Sequence, residues 1–172
     1  MEFTFHTKYN SDALTAMAKA LRKTTRSKRS RRSHIFGWFI VILAVLLSLP
    51  RGEEYVIDLN KIVTWIAAAA IIFVFAFEDR LNGLIAKKRM LPGLLSSTVT
   101  FSESGYCSKT EVGTSEFSYE NIVAISETQR YFILIFSQNH AQVYDKQGLS
   151  QGSCDGFPEF ITQITGLSIH KV

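Results

Sequence analysis

The stretch "RKTTRSKRSRRSHIFGWFIVILAVLLSLP", residues 22–50, decides how this chain is built. Its first part, Arg22–His34, holds seven Lys or Arg residues and no acid. Its second part, Ile35–Leu49, is apolar at every position except Gly37 and Ser48. Alone, the basic part would read as a nucleic-acid arm or a targeting segment. Directly before an apolar run it reads as the flank of a membrane span, because positive residues near span ends stay on the cytoplasmic side.

A second apolar run, Ile62–Phe77, is broken only by Thr64. A spanning helix needs about 20 mostly apolar residues. Both runs reach that length when their interfaces are included, which predicts a transmembrane hairpin with spans at about 35–50 and 59–78. Trp38, Tyr55 and Trp65 are the expected interfacial aromatics. The competing picture, two core helices of a soluble protein, is the weaker one because neither run has a polar face. A cleaved signal peptide would need a small-residue cleavage site, and none follows Leu49. A mitochondrial presequence would not carry Glu2 and Asp12 or start with the strand-like "EFTFHT".

Charge sets the orientation. Residues 1–34 carry nine Lys or Arg against two Asp or Glu; residues 78–172 carry eight against ten. The connecting segment "RGEEYVIDLNK" carries two against three. Both termini are therefore expected in the cytoplasm, with the connecting segment outside. The expected topology and headgroup cations are Arg22, Lys23, Arg26, Lys28, Arg29, Arg31 and Arg32 before the hairpin, and Lys87, Lys88 and Arg89 after it. Each contributes roughly 1 kcal/mol of non-specific attraction to anionic lipid near the surface. Nucleic acid is not an expected partner, because the basic character is confined to this flank.

Beyond the hairpin the pattern changes. "MEFTFHTKY" alternates, which predicts a strand with Phe3 and Phe5 on one face. Leu14, Met17, Ala18 and Leu21 recur at helical spacing after the helix-start residues Asn10, Ser11 and Asp12. Whether that basic amphipathic helix runs on into the first span is open at this level. After the second run, Leu81, Leu84 and Ile85 extend the helix until Pro92-Gly93 ends it. From Ser96 onward, short alternating segments and the dense apolar "YFILIF" (131–136) predict a sheet of five or six mostly antiparallel strands. Gly148–Gly156 reads as a Gly/Ser-rich loop. "FPEFITQITGL" predicts a closing helix, with Pro158 in its first turn and Gly166 at its end. The N-terminal strand is expected to join this sheet.

The divisions are 1–34, cytoplasmic strand and basic helix; 35–78, transmembrane hairpin; 79–95, helical extension and linker; and 96–172, the folded cytoplasmic domain. The fold class is an α+β membrane protein: a two-helix hairpin with a small sheet or barrel closed by a C-terminal helix.

A strand ending "FSESG" (101–105), then "FSYENIVAISET" (117–128), "YFILIF" and "SQNHAQVYDK" (137–146), resembles the YcxB-like bacterial membrane proteins. The resemblance covers most of the chain, best over Thr98–Leu149. It implies a domain similar to the pleckstrin-homology (PH) fold, cytoplasmic on a two-span anchor, and it implies no particular activity. The chain departs from the family at Tyr119, where a Trp is usual, and at Asp145, where a Pro is usual before Lys146. Related small membrane proteins sometimes accompany bacteriocin production, in self-protection.

Catalytic readings are poor. His6, His34, His140 and His170 are scattered, and a Cys107–His140 thiol pair has no third residue to orient it. Glu103, Glu111, Glu116, Glu120 and Glu127 fall at turns or on outer faces. Cys107 and Cys154 lack metal spacing and are expected as free thiols in a reducing cytosol. "GLSQGSCDG" lacks the residues of a phosphate loop. No catalytic residue, cofactor or metal is expected. Thr64 and Ser48 are the polar residues within the spans, and neither is ionisable, which weakens a channel reading. Gly37 and Ala67–Ala70 permit close helix contact, either between the two spans or in a homo-oligomer.

The expectation is a non-enzymatic protein of the bacterial cell membrane with an accessory, regulatory or immunity-like role. Its protein partner, unidentified, would bind a sheet face, an exposed edge or the Gly148–Gly156 loop. The alternative is a subunit of a transport or channel assembly; a membrane-bound enzyme is more remote.

Overall fold

A computed structural model of the chain describes residues 1–49 and 58–172. They form two units: Lys28–Glu78, and a second that joins Met1–Ser27 to Asp79–Val172.

The composite unit begins with β1 (Phe3–Lys8) and α1 (Ser11–Lys23). The Asn10 side chain caps α1 by accepting the Ala13 N–H at 2.8 Å. The helix ends at Lys23, where the Thr24 N–H turns back to the Ala20 carbonyl. The basic run is therefore divided: Arg22 and Lys23 end α1, and Lys28 to Arg32 belong to α2 (Ser27–Ser48). α1 and α2 are separate helices.

After α3 (Leu59–Arg89) come β2 (Ser96–Ser102), β3 (Gly105–Lys109), β4 (Thr114–Phe117), β5 (Ala124–Glu127), β6 (Tyr131–Ile135) and β7 (Ala141–Asp145). Then follow β8 (Leu149–Gln151), α4 (Gly156–Thr165) and β9 (Ile169–Lys171). The expected single sheet or barrel of five or six strands is corrected. Among the described residues the strands form two sheets, in the orders β4-β3-β2-β1-β8 and β7-β6-β5-β9, and no barrel closes. The chain changes sheet three times, once across α4 between β8 and β9 and twice at short 3₁₀ turns. Tyr119–Asn121 leads from β4 to β5, and Lys146–Gly148 leads from β7 back to β8. The segment read as a Gly/Ser loop thus contains β8, which pairs with β1. Gly148 makes this possible: a Cβ there would meet the His6 carbonyl oxygen at 1.9 Å. β9 pairs in parallel with β5, whereas the other pairings are antiparallel.

β1 joins the sheet as its alternation leads one to expect, and it is an inner strand. It is flanked by β2, in register from Phe3↔Phe101 to Lys8↔Ser96, and by β8. Phe3 and Phe5 enter the main core with Val99, Phe101, Phe132, Tyr144 and Phe157. The ring of Phe5 meets those of Phe101, Phe132, Tyr144 and Phe157 at 4.9–6.1 Å between centroids. From α4, Phe157, Phe160 and Ile161 fill the same core.

β6 is buried at all five positions because both of its faces are covered. Phe132 and Leu134 face the main core, while Tyr131, Ile133 and Ile135 pack with Ala13, Ala20 and Leu21 of α1. This explains the dense apolar run better than centrality alone. The extension of α3 also meets α1: a Cβ on Gly83 would lie 2.8 Å from the Thr15 backbone nitrogen. Arg22 on α1 holds Asp79 on α3 through two bonds of 2.7 Å.

The other unit consists of α2 from Lys28 and α3 up to Glu78. Phe75 fills the notch left by the missing side chain at Gly37. The His34 ring stacks on Phe75 at 4.5 Å, and its Nε2 pairs with Glu78 at 2.8 Å. Ser48 and Thr64 return their hydroxyls to the carbonyls of Ala44 and Asn60, so neither polar group needs another partner. The apolar side chains are largely uncovered: Ile35, Phe36, Phe39 and Ile66 are each more than 60% exposed. Both helices are long and apolar enough to cross a membrane.

Candidate functional site

The expected cations do not share one environment. Lys23, Lys28, Arg29, Arg31 and Arg32 are exposed, as are Lys87, Lys88 and Arg89. Arg22 is engaged by Asp79, and its side chain is 27% exposed. Arg26 donates to the Gln138 carbonyl and to Asn139 Oδ1, tying the link between α1 and α2 to the β6–β7 turn. Trp38 and Trp65 stand half exposed on α2 and α3. Tyr55 lies outside the described residues.

Two departures from the expected family pattern have local explanations. Tyr119 is buried and donates its hydroxyl to the carbonyls of Ser102 (2.6 Å) and Gly105 (3.1 Å). It thereby fixes the β2–β3 turn with a polar-tipped aromatic, as a Trp N–H could. Burial pushes its hydroxyl up to about 12; burial also raises Tyr106 and Tyr144 beside it. Asp145 uses an N–H that proline lacks, donating it to Thr7 Oγ1 at 3.1 Å. Its carboxylate accepts from the Gln147 N–H and from Arg130, the latter at 2.8 Å.

Lys146 is turned inward to structural use. Its Nζ bonds Glu127 and the Thr128 carbonyl, over the ring of Phe132. Cys107 and Cys154 are free thiols. Cys107 sits on β3, in one sheet, and His140 directly before β7, in the other, so the imagined pair is not assembled there as neighbouring strand residues. Among the described residues no three His, Cys, Asp or Glu side chains gather as metal ligands.

A groove of about 980 Å³ lies between the start of β1, the β2–β3 turn and α4. Glu2, Glu103 and Glu159 rim it, over a floor of Phe3, Phe160 and Ile164. The Gly152–Gly156 loop forms one wall. At Gly152, with φ at +91°, the backbone lies so close to Phe3 that a Cβ would meet the ring at 2.3 Å. Glu103 already pairs at 3.0 Å with the Met1 ammonium, which also lines the groove, so Glu2 and Glu159 carry the remaining negative charge of the rim, over an apolar floor that suits a cationic segment with apolar side chains. The three carboxylates come from distant parts of the chain, so spacing could not reveal the site. The glycine-rich loop was its one visible trace.

Comparison with known sequences gives one family: that described as YcxB-like protein matches residues 101–161. No curated protein matches the chain.

Proposed function

Taking the YcxB-like domain at residues 101–161 as the premise, we propose that this chain is a membrane-anchored interaction protein that acts by contact rather than catalysis. In this reading α2 and α3 cross the bacterial cell membrane, and the composite unit is a PH-like domain in the cytoplasm. The observation that carries it is the uncovered apolar surface of both helices, which water would not tolerate over such an area. Ser27–His34 continues the first span as two basic helical turns at the headgroups, where Lys28, Arg29, Arg31 and Arg32 would meet anionic lipid. The pairing of β1 with β2 supports placing both termini on one side, because these strands flank the hairpin in sequence. Two mostly antiparallel sheets with α4 filling their core support the PH-like reading.

The acid-rimmed groove is the proposed partner surface, and its charge favours a basic, partly apolar segment. The role that follows is accessory, regulatory or protective.

Topology labelling tests the anchor. A single cysteine is placed by Gly52→Cys in a chain with Cys107 and Cys154 replaced by Ser, and whole cells receive an impermeant maleimide. Labelling at position 52, with Cys107 and Cys154 of the unmodified chain protected until lysis, is the expected result. The reverse pattern would put the domain outside and sink the proposal.

A further inference from the structure

A separate pocket of about 450 Å³ opens where α1, the extension of α3 and the β5–β6 turn meet. Each element supplies one cation: Lys19 from α1, Arg80 from α3 and Arg130 from the turn. Asp12 is the one acid among the lining residues. Thr15 and Thr128 add hydroxyls, and Leu84 and Tyr131 give it an apolar side.

One detail points to an occupant, the free donors of Arg130. Its bonds to Asp145 use Nε and Nη2, and the side chain remains 43% exposed, so the guanidinium has further donors for a second acceptor.

The pocket also has a definite place along α3. Arg80 follows Phe77, the last residue of the apolar run, by three positions, about 4.5 Å along the helix. In a spanning helix that is headgroup depth. Guanidinium groups match phosphate oxygens with paired donors, and an ammonium adds a point charge. Basic pockets at this depth suit anionic headgroups.

We propose that this pocket binds the phosphate group of an anionic membrane lipid. Lys19, Arg80 and Arg130 contact its oxygens, and Leu84 and Tyr131 lie against its glycerol end. The proposal rests on α3 being a span, which sets the depth of Arg80. It goes beyond diffuse attraction to the basic flank, because it names one site with its own residues.

The test uses the full chain in phosphatidylcholine nanodiscs doped with spin-labelled phosphatidic acid, the immobilised lipid fraction being the readout. Lys19→Ala and Arg80→Ala should each weaken binding about tenfold, the loss of one charge-assisted contact. Lys19→Arg should retain it. Lys109→Ala removes an equal charge from β3 and should change binding less than twofold. If Lys19→Ala and Arg80→Ala behave like Lys109→Ala, the site is overturned. Inorganic phosphate is added in a second arm. Displacement that depends on Lys19 and Arg80 keeps the phosphate site and assigns its source to solution; no displacement assigns it to lipid. A chain that will not enter nanodiscs sinks the span reading instead. In that case phosphate binding measured in detergent decides the pocket, and its absence overturns it.

Discussion

Arg22 and Asp79 stand 57 positions apart in sequence, yet Nε and Nη2 of the arginine each meet a carboxylate oxygen at 2.7 Å. The pair joins the helix before the hairpin to the helix that leaves it. Both side chains are largely covered, at 27% and 18% exposure, so water replaces the partner poorly when one is removed. Arg22→Ala and Asp79→Ala should each destabilise the folded unit by about 1–3 kcal/mol. Thermal unfolding of the full chain in detergent, followed by circular dichroism, measures this. A double variant, Arg22→Met with Asp79→Leu, should recover most of the loss. Were Arg22 solely a headgroup cation, neither single change would move the midpoint in uncharged detergent.

The position of β1 predicts how the molecule can be cut. A fragment of residues 95–172 contains the whole family match but lacks β1 and α1. It leaves β2 and β8 as open edges and empties the place of Phe5, which is 0% exposed among four aromatic rings. That fragment should aggregate or stay without fixed tertiary structure. Within the intact chain, Phe5→Ala alone should cost about 3–5 kcal/mol. Chemical denaturation of the full chain, and the amide dispersion of the fragment by NMR, give the two readings. A well-dispersed spectrum from 95–172 would contradict the packing described here.

Alkaline pH should loosen the same core. Burial raises Tyr119 to about 12 and lifts Tyr106 and Tyr144 as well, against an unfolded value near 10. The folded state therefore holds these protons more tightly than the unfolded state. Their contribution is complete below about pH 10 and falls away as the pH climbs toward 12. Thermal midpoints should drop across that window, with tyrosinate absorbance appearing together with unfolding. Tyr119→Phe should flatten the dependence while lowering stability at neutral pH, because the Ser102 carbonyl loses its donor.

Local patterns carried much of this architecture. The alternation around Phe3 and Phe5, the helical spacing of Leu14 to Leu21, the apolar runs, Pro158 and Gly166 each spoke within a few residues. What stayed hidden was relational. The chain changes sheet at Lys146–Gly148, and the sequence there reads as turn chemistry whether the next strand pairs near or far. β8 and β9 are three residues each, too short for alternation to register. The opposite failure concerns Arg22 and Arg26. They look like members of a uniform basic run, but Arg22, on α1, is held by Asp79, and Arg26, in the link before α2, is held by the β6–β7 turn. The groove and the cationic pocket were illegible for one reason: Glu2, Glu103 and Glu159, like Lys19, Arg80 and Arg130, meet only after the fold has closed.

The interleaving of β1 between β2 and β8 has a consequence for synthesis on the ribosome. β1 emerges before the hairpin but has no neighbour until residue 96, and its second neighbour is complete only at Gln151. Between these moments both long apolar helices must leave the exit tunnel and find their places. With α2 and α3 as the proposed spans, a chain with a single helix across the bilayer would strand β1 on the far side, and the sheet would never gain its inner member. On that proposal, completion of the domain reports that the number of crossings is even. A nascent chain that miscounts would be left with raw strand edges, the kind of surface that quality-control proteases recognise.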